Sequence, residues 1–191
     1  MSSRLYTFTG GAAGPWKVRG QRTCLGAPLP PVDFVEVLAG EAPAPAGGWA
    51  LQGVTSNERY VVRAEKQDLV ARQQGLGRAE ATRAALIPLR KNEAWWALTQ
   101  DERRAVFEEQ SHHIRIGMKH LPPIARRLHH CRDLAGPQPF DFITWFEYAP
   151  AHEADFDALL AELRATAEWT HVDWEVELRL ERASAREGTT A

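Results

Sequence analysis

Hydrophobic and polar positions change period several times along the chain. "RLYTFTG" (4–10) and "VDFVEVLAG" (32–40) read as short strands separated by the turn-forming "GAPLPP". "GEAPAPAGG" (40–48) is a second connector, and "WALQGVTSNERYVV" (49–62) is a strand running into a turn. "AEKQDLVARQQGLG" (64–77) has a helical pattern that ends at Gly75 or Gly77, and "ATRAALIPLR" (81–90) returns to strand. A long helix is expected over "WWALTQDERRAVFEEQSHHIRIGMKHL" (95–121), opened by a capping box of Thr99 and Glu102. Pro122 and Pro123 stop it, because a residue before proline is pushed out of the α region. "IARRLHHCRDL" (124–134) then reads as a second short helix.

The last third is plainer. "FDFITWFEYAP" (140–150) is a strand, and "HEADFDALLAELRATAEW" (152–169) is an amphipathic helix. "HVDWEVELRLE" (171–181) alternates, with Val172, Trp174, Val176, Leu178 and Leu180 on one face and Asp173, Glu175, Glu177 and Arg179 on the other. "SAREGTTA" (184–191) resembles a flexible tail. Strand–helix–strand order occurs at 49–90 and again at 140–181. The expected fold is therefore α+β, one domain of two ferredoxin-like halves at about 1–95 and 96–182, with 183–191 as the tail.

Composition narrows the function. Of 191 residues, 44% are hydrophobic and 25% charged, and 23 basic residues stand against 25 acidic ones for a net charge of -2. That balance, without a basic run, argues against a nucleic-acid partner. No window is apolar enough to span a membrane, and the first residues lack the core of a signal peptide. Cys24 and Cys131 form no framework, so a cytoplasmic setting is expected. Seven tryptophans require a large core, a pocket or an interface.

Candidate chemistry concentrates in "EEQSHHIRIGMKHLPPIARRLHHCRDL" (108–134), which holds His112, His113, His120, His129 and His130. On a wheel of about 100° per residue, Val106, Gln110, Ile114, Gly117 and Leu121 share a face with His113 at its edge. His112 falls among Glu108, Ile116 and Lys119. Gly117 stands one turn after His113 and leaves space there, at a helix-propensity cost of about 1 kcal/mol. Two readings of His113 stand at this point: a packed, hydrogen-bonded histidine, or an axial haem ligand. A zinc site drawn from His112, His120, His129, His130 and Cys131 matches no structural zinc spacing.

"SNERYV", "GLGR", "ALIPLRKNEAWWALTQDERR", "HHIRIGMKHLPPIARRLHHCRDL" and "DFITWFEYAP", in this order over residues 48–182, together resemble the chlorite dismutase family of haem b proteins. The short chain is similar to the compact branch, and a homodimer is the implied assembly. The resemblance implies that His113 ligates the iron and that Arg126, thirteen residues on, projects over the opposite side. It implies Glu168 as the carboxylate behind His113, with Lys91 joining it, and Gln73 as the distal glutamine, with Gln74 next in register. Trp96, Tyr60 and Asn57 are implied near the haem and its propionates.

The implied reaction turns chlorite, a small anion, into chloride and dioxygen by forming an O–O bond at the histidine-ligated haem. Arg126 would hold the departing fragment for recombination. One branch of the family instead decarboxylates a porphyrin, with a tyrosine in the segment matching "IPLRK" and no distal arginine. Here that segment carries Ile87, and Arg126 is present. The alternative function is a haem-binding or haem-handling protein, or a weak peroxidase. A non-haem α+β dimer is the third class.

Overall fold

The computed structural model describes residues 4–55 and 59–184. Eight strands, β1 (Leu5–Gly11), β2 (Trp16–Leu25), β3 (Phe34–Ala39), β4 (Trp49–Val54), β5 (Arg83–Lys91), β6 (Ala125–His130), β7 (Phe142–Tyr148) and β8 (Val172–Arg182), close into one antiparallel barrel. The order around it is β1-β3-β2-β8-β5-β7-β6-β4. Both the first four strands and the last four therefore run fourth-first-third-second, the ferredoxin-like order, and the two halves of the α+β fold are real.

The dividing line is not near residue 95. β5 pairs with β7 and β8, so the second half begins at Arg83. Reading β4, the following helix and β5 as one unit misses that the helix links the halves. The first half has no helix between its strands. The segment 40–48 covers part of the outer face instead: Thr7 Oγ1 donates to the Gly40 carbonyl, and Pro45 lies against Gly11. β2, with only scattered apolar residues, was not expected as a strand. Its pairing with β8 closes the barrel on one side.

Helices pack outside the second half. α1 (Arg63–Arg72) follows β4; α2 (Glu93–Ala97), α3 (Gln100–Arg104) and α4 (His113–Lys119) connect β5 to β6; α5 (Glu153–Arg164) connects β7 to β8. Alternation along the strands builds two cores. Leu86, Trp145 and Leu178 join Phe8, Trp16 and Val35 inside the barrel. Ile87, Phe146 and Tyr148 point outward and meet Phe156, Leu159, Leu160 and Leu163 of α5, which share one helical face.

Two expectations give way. The helix over 95–121 is broken into α2, α3, a π-helical turn (Ala105–Gln110) and α4. The capping box forms at α3, where Thr99 N donates to Glu102 Oε2 at 2.7 Å. His112, in the left-handed region at φ 53°, then reverses the chain, and the Glu108 carboxylate accepts from Ile114 N at 2.6 Å to cap α4. No glycine or proline marks these breaks, so periodicity read straight through them.

"IARRLHH" is strand, not helix. It lies between β7 and β4 and completes the barrel. Its two faces differ accordingly: Arg126, Leu128 and His130 face the helices, whereas Ala125 and His129 are fully buried on the other side.

His129 gives the fold a pH dependence. Its Nδ1 donates to the Ile143 carbonyl at 3.1 Å, and burial pushes its pKa down to about 4 from 6.5. The unfolded chain takes up a proton near the ordinary value while the folded chain stays neutral. Stability is thus complete above about pH 6.5 and declines as pH falls towards 4, by roughly 2–3 kcal/mol at pH 4.5. Denaturant unfolding of wild type and His129→Gln at pH 7 and 4.5 checks this. The variant starts less stable and shows the smaller decline.

Candidate active site

The cavity lies between the outer face of β5, β6 and β7 and the packed helices α4 and α5. With its open mouth it encloses about 1010 Å³ of non-protein space, part of it open solvent. Ile87, Leu89, Leu128, Phe142 and Phe146 give it an apolar floor, and few polar groups enter it.

His113 is the first residue of α4. The reversal at His112 turns its ring onto Phe107, with centroids 4.3 Å apart and planes 22° apart. Its Nδ1 donates to Glu168 Oε2 at 2.6 Å. In a neutral imidazole this leaves the lone pair on Nε2, the nitrogen available to the cavity that His113 lines. His112 does something else: its Nδ1 donates to the Glu108 carbonyl at 2.9 Å, and it does not line the cavity.

Glu168 is 4% exposed. Its second oxygen accepts from Lys91 Nζ at 2.7 Å, and its backbone N–H is held by Ser111 Oγ at 2.8 Å. Burial alone would raise the Glu168 pKa. Attraction to His113 and Lys91, and their hydrogen bonds, outweigh it and hold the carboxyl down at about 2. For Lys91 the balance is reversed: desolvation lowers its pKa despite Glu168. Neither group is the solvated surface charge that an isolated Lys and Glu in sequence would ordinarily be. Removing one partner of such a buried pair costs about 3–5 kcal/mol.

Arg126 enters from β6, and its guanidinium reaches across to α4. Its Nη1 approaches the Gly117 carbonyl at 3.4 Å, and a Cβ on Gly117 would lie 2.7 Å from Nη2. The glycine thus makes room for a guanidinium. Burial pushes the Arg126 pKa down to about 10, which leaves the charge intact at neutral pH.

The remaining candidates divide. Gln73, just past α1, donates from Nε2 to the Arg126 carbonyl at 3.0 Å, so it braces the strand carrying Arg126 and does not line the cavity. Gln74 pairs with Arg78 instead. Tyr60 lines the cavity, and its buried hydroxyl has no protein partner. Asn57 lies outside the described residues. Trp96 faces away: its Nε1 donates to Asp141 at 3.1 Å, and Arg132 lies over its ring. Its neighbour Trp95 lines the cavity with a buried Nε1 that also lacks a protein partner. Trp95, Phe107 and Ser111 were missed, because a WW pair does not reveal which ring turns inward and one buried serine has no sequence signature. Among the described residues no group of three or more His, Cys, Asp or Glu could hold a metal ion.

These residues fit a haem. His113, its Nδ1 held by Glu168, lines a largely apolar cavity together with Arg126, and the Tyr60 hydroxyl and Trp95 Nε1 are buried there without a protein partner.

Comparisons agree. The family model described as chlorite dismutase matches residues 45–181. A chlorite dismutase from Ideonella dechloratans is 33% identical over 100 residues, covering 51% of this chain but only a third (33%) of that protein. The crystal structure of dimeric chlorite dismutases from Nitrobacter winogradskyi is 53% identical, with a TM-score of 0.86, covering 93% of this chain and 99% of that one. A chlorite dismutase from Candidatus Nitrospira defluvii, in complex with imidazole, is 26% identical with a TM-score of 0.56, covering 70% of this chain and 55% of that one.

Proposed function

The chain belongs to the chlorite dismutase family, and on that premise we propose that it is a haem b oxidoreductase that converts chlorite to chloride and dioxygen. The observation that carries the reading is that His113, backed by Glu168 and Lys91, and Arg126 line the same cavity. Haem, when bound, would supply the iron chemistry that converts chlorite to chloride and dioxygen. His113 would hold that iron, and the Glu168 carboxylate on Nδ1 would strengthen its donation. Lys91 draws on the same carboxylate and limits that effect. Arg126 attracts the chlorite anion and keeps the chlorine fragment close enough for recombination to outrun escape. The apolar floor of Ile87, Leu89 and Phe146 keeps water from competing. Tyr60 and Trp95 would offer their unpaired donors to bound haem, and Gln73 braces the strand that carries Arg126. By likeness to the Nitrobacter protein, the working unit is a homodimer.

Oxygen evolution from chlorite by the haem-loaded protein tests the function. One O₂ per chlorite is expected. A Soret band without oxygen release would instead support the haem-handling or peroxidase alternative.

Gly117 gives a second check. Gly117→Ala should keep or slightly raise the melting temperature, because alanine favours the helix by about 1 kcal/mol. It should also push the Arg126 guanidinium aside and slow oxygen evolution. Calorimetry and an oxygen electrode on the same preparation separate the two effects.

A further inference from the structure

The face of β8 opposite the barrel core was expected to be simply polar. Two of its residues, Glu175 and Glu177, are 1% and 4% exposed beneath α5. Glu177 pairs with Arg164 and Arg179. Glu175 divides its two oxygens differently. Oε1 accepts from Arg164 at 2.6 and 2.9 Å, while Oε2 accepts from the Trp169 indole at 2.8 Å.

Trp169 directly follows Glu168, and its ring lies 5.5 Å from Lys91 Nζ. The Trp95 ring lies 4.6 Å from the same nitrogen. Lys91 is thus a buried ammonium set between two indole faces and one carboxylate. Such a group tends to lose its proton, and aromatic faces are among the few apolar surfaces that favour the charged form. Arg164 already has Glu177 as a partner, so salt-bridge formation alone does not account for the oxygen that Glu175 gives to the indole.

We propose that Trp169 and Glu175 are positioning residues that hold Lys91 on Glu168 and so set how strongly His113 donates to iron. The inference rests on the haem reading above. Glu175 fixes the indole; the indole, with Trp95, fixes the ammonium; and the ammonium takes part of the charge that Glu168 would otherwise give to His113. If the indole loses its anchor, Lys91 loosens, Glu168 pulls harder on the Nδ1 proton, and His113 gains imidazolate character.

The test uses haem-loaded full chain and two readouts, the iron–histidine stretching frequency of the ferrous protein and the ferric/ferrous midpoint potential. Wild type, Lys91→Met, Trp169→Phe and Glu175→Gln are compared. Lys91→Met should raise the stretch and lower the potential. Trp169→Phe keeps a ring but loses the N–H, and should shift both in the same direction by a smaller amount. Glu175→Gln keeps an oxygen acceptor for the indole and should stay closer to wild type than Trp169→Phe. A wild-type stretch and potential in Trp169→Phe, with Lys91→Met shifted, would overturn the inference and leave the haem reading standing. No shift in Lys91→Met would likewise overturn the inference, whereas no iron–histidine band in wild type would overturn the haem reading itself.

Discussion

His113→Ala should lose haem affinity by more than about 100-fold, since losing an outer partner of a metal ligand alone costs about 10–100-fold. The fold should survive. His113 is only part-buried, and Glu168 keeps Lys91 Nζ and the Ser111 hydroxyl as partners. Haemin titration followed at the Soret band gives the affinity, and the melting temperature of the haem-free chain reports the fold. His113→Gly adds a sharper form of the test. Imidazole in solution should restore the band, because the slot beside Phe107 and Glu168 is already shaped for the ring. Glu168→Gln should weaken haem binding within the 10–100-fold range of about one to two decades. His112→Ala should leave the band intact, since that ring is bound to the Glu108 carbonyl.

Arg126→Ala should bind haem as wild type does yet lose roughly 10²-fold in kcat/KM for chlorite. That is the usual size of effect when one preorganised charge-stabilising donor is removed. The separation follows from placement: Arg126 comes from β6 and His113 from α4, and of the two only the His113 ring is held by Glu168. Arg126→Lys should recover part of the loss, because an ammonium attracts the anion but lacks the planar fork that orients it. The Arg126 pKa lies at about 10. The wild-type rate should therefore hold through neutral pH and fall as pH rises past that value, and the decline should be absent in Arg126→Ala. Stopped-flow rates from pH 6 to about 10.5 on both proteins check the sign.

Much of this was legible in the sequence, for reasons that differ by element. β8 and α5 announce themselves because their periods, 2 and 3.6, are long and uninterrupted. The pairing of His113 with Glu168 and Lys91 was legible only through resemblance. Fifty-five residues separate His113 from Glu168, and nothing local ties them. The helix wheel favoured His113 over His112 while assuming a continuous helix. The chain instead passes through a π turn and a left-handed residue, so the wheel reached His113 without describing the turn that aims it. β6 read as a helix because "IARRLHHC" satisfies both periods over so short a run. Barrel closure decided for strand. The carboxylates of β8 read as a polar face because alternation cannot show that an amphipathic helix covers it and brings Arg164 as counter-charge. Trp96 was favoured over Trp95 by resemblance, and packing against Tyr60 put Trp95 on the cavity.

The central claim is that both oxygen atoms of one chlorite leave together as dioxygen from a haem held by His113. Chlorite labelled with oxygen-18 in both positions, given to haem-loaded protein in unlabelled water, tests it by mass spectrometry of the gas released. The account predicts doubly labelled O₂ in one-to-one yield with chloride. Singly labelled or unlabelled O₂, or chlorite consumption with no O₂, would contradict it.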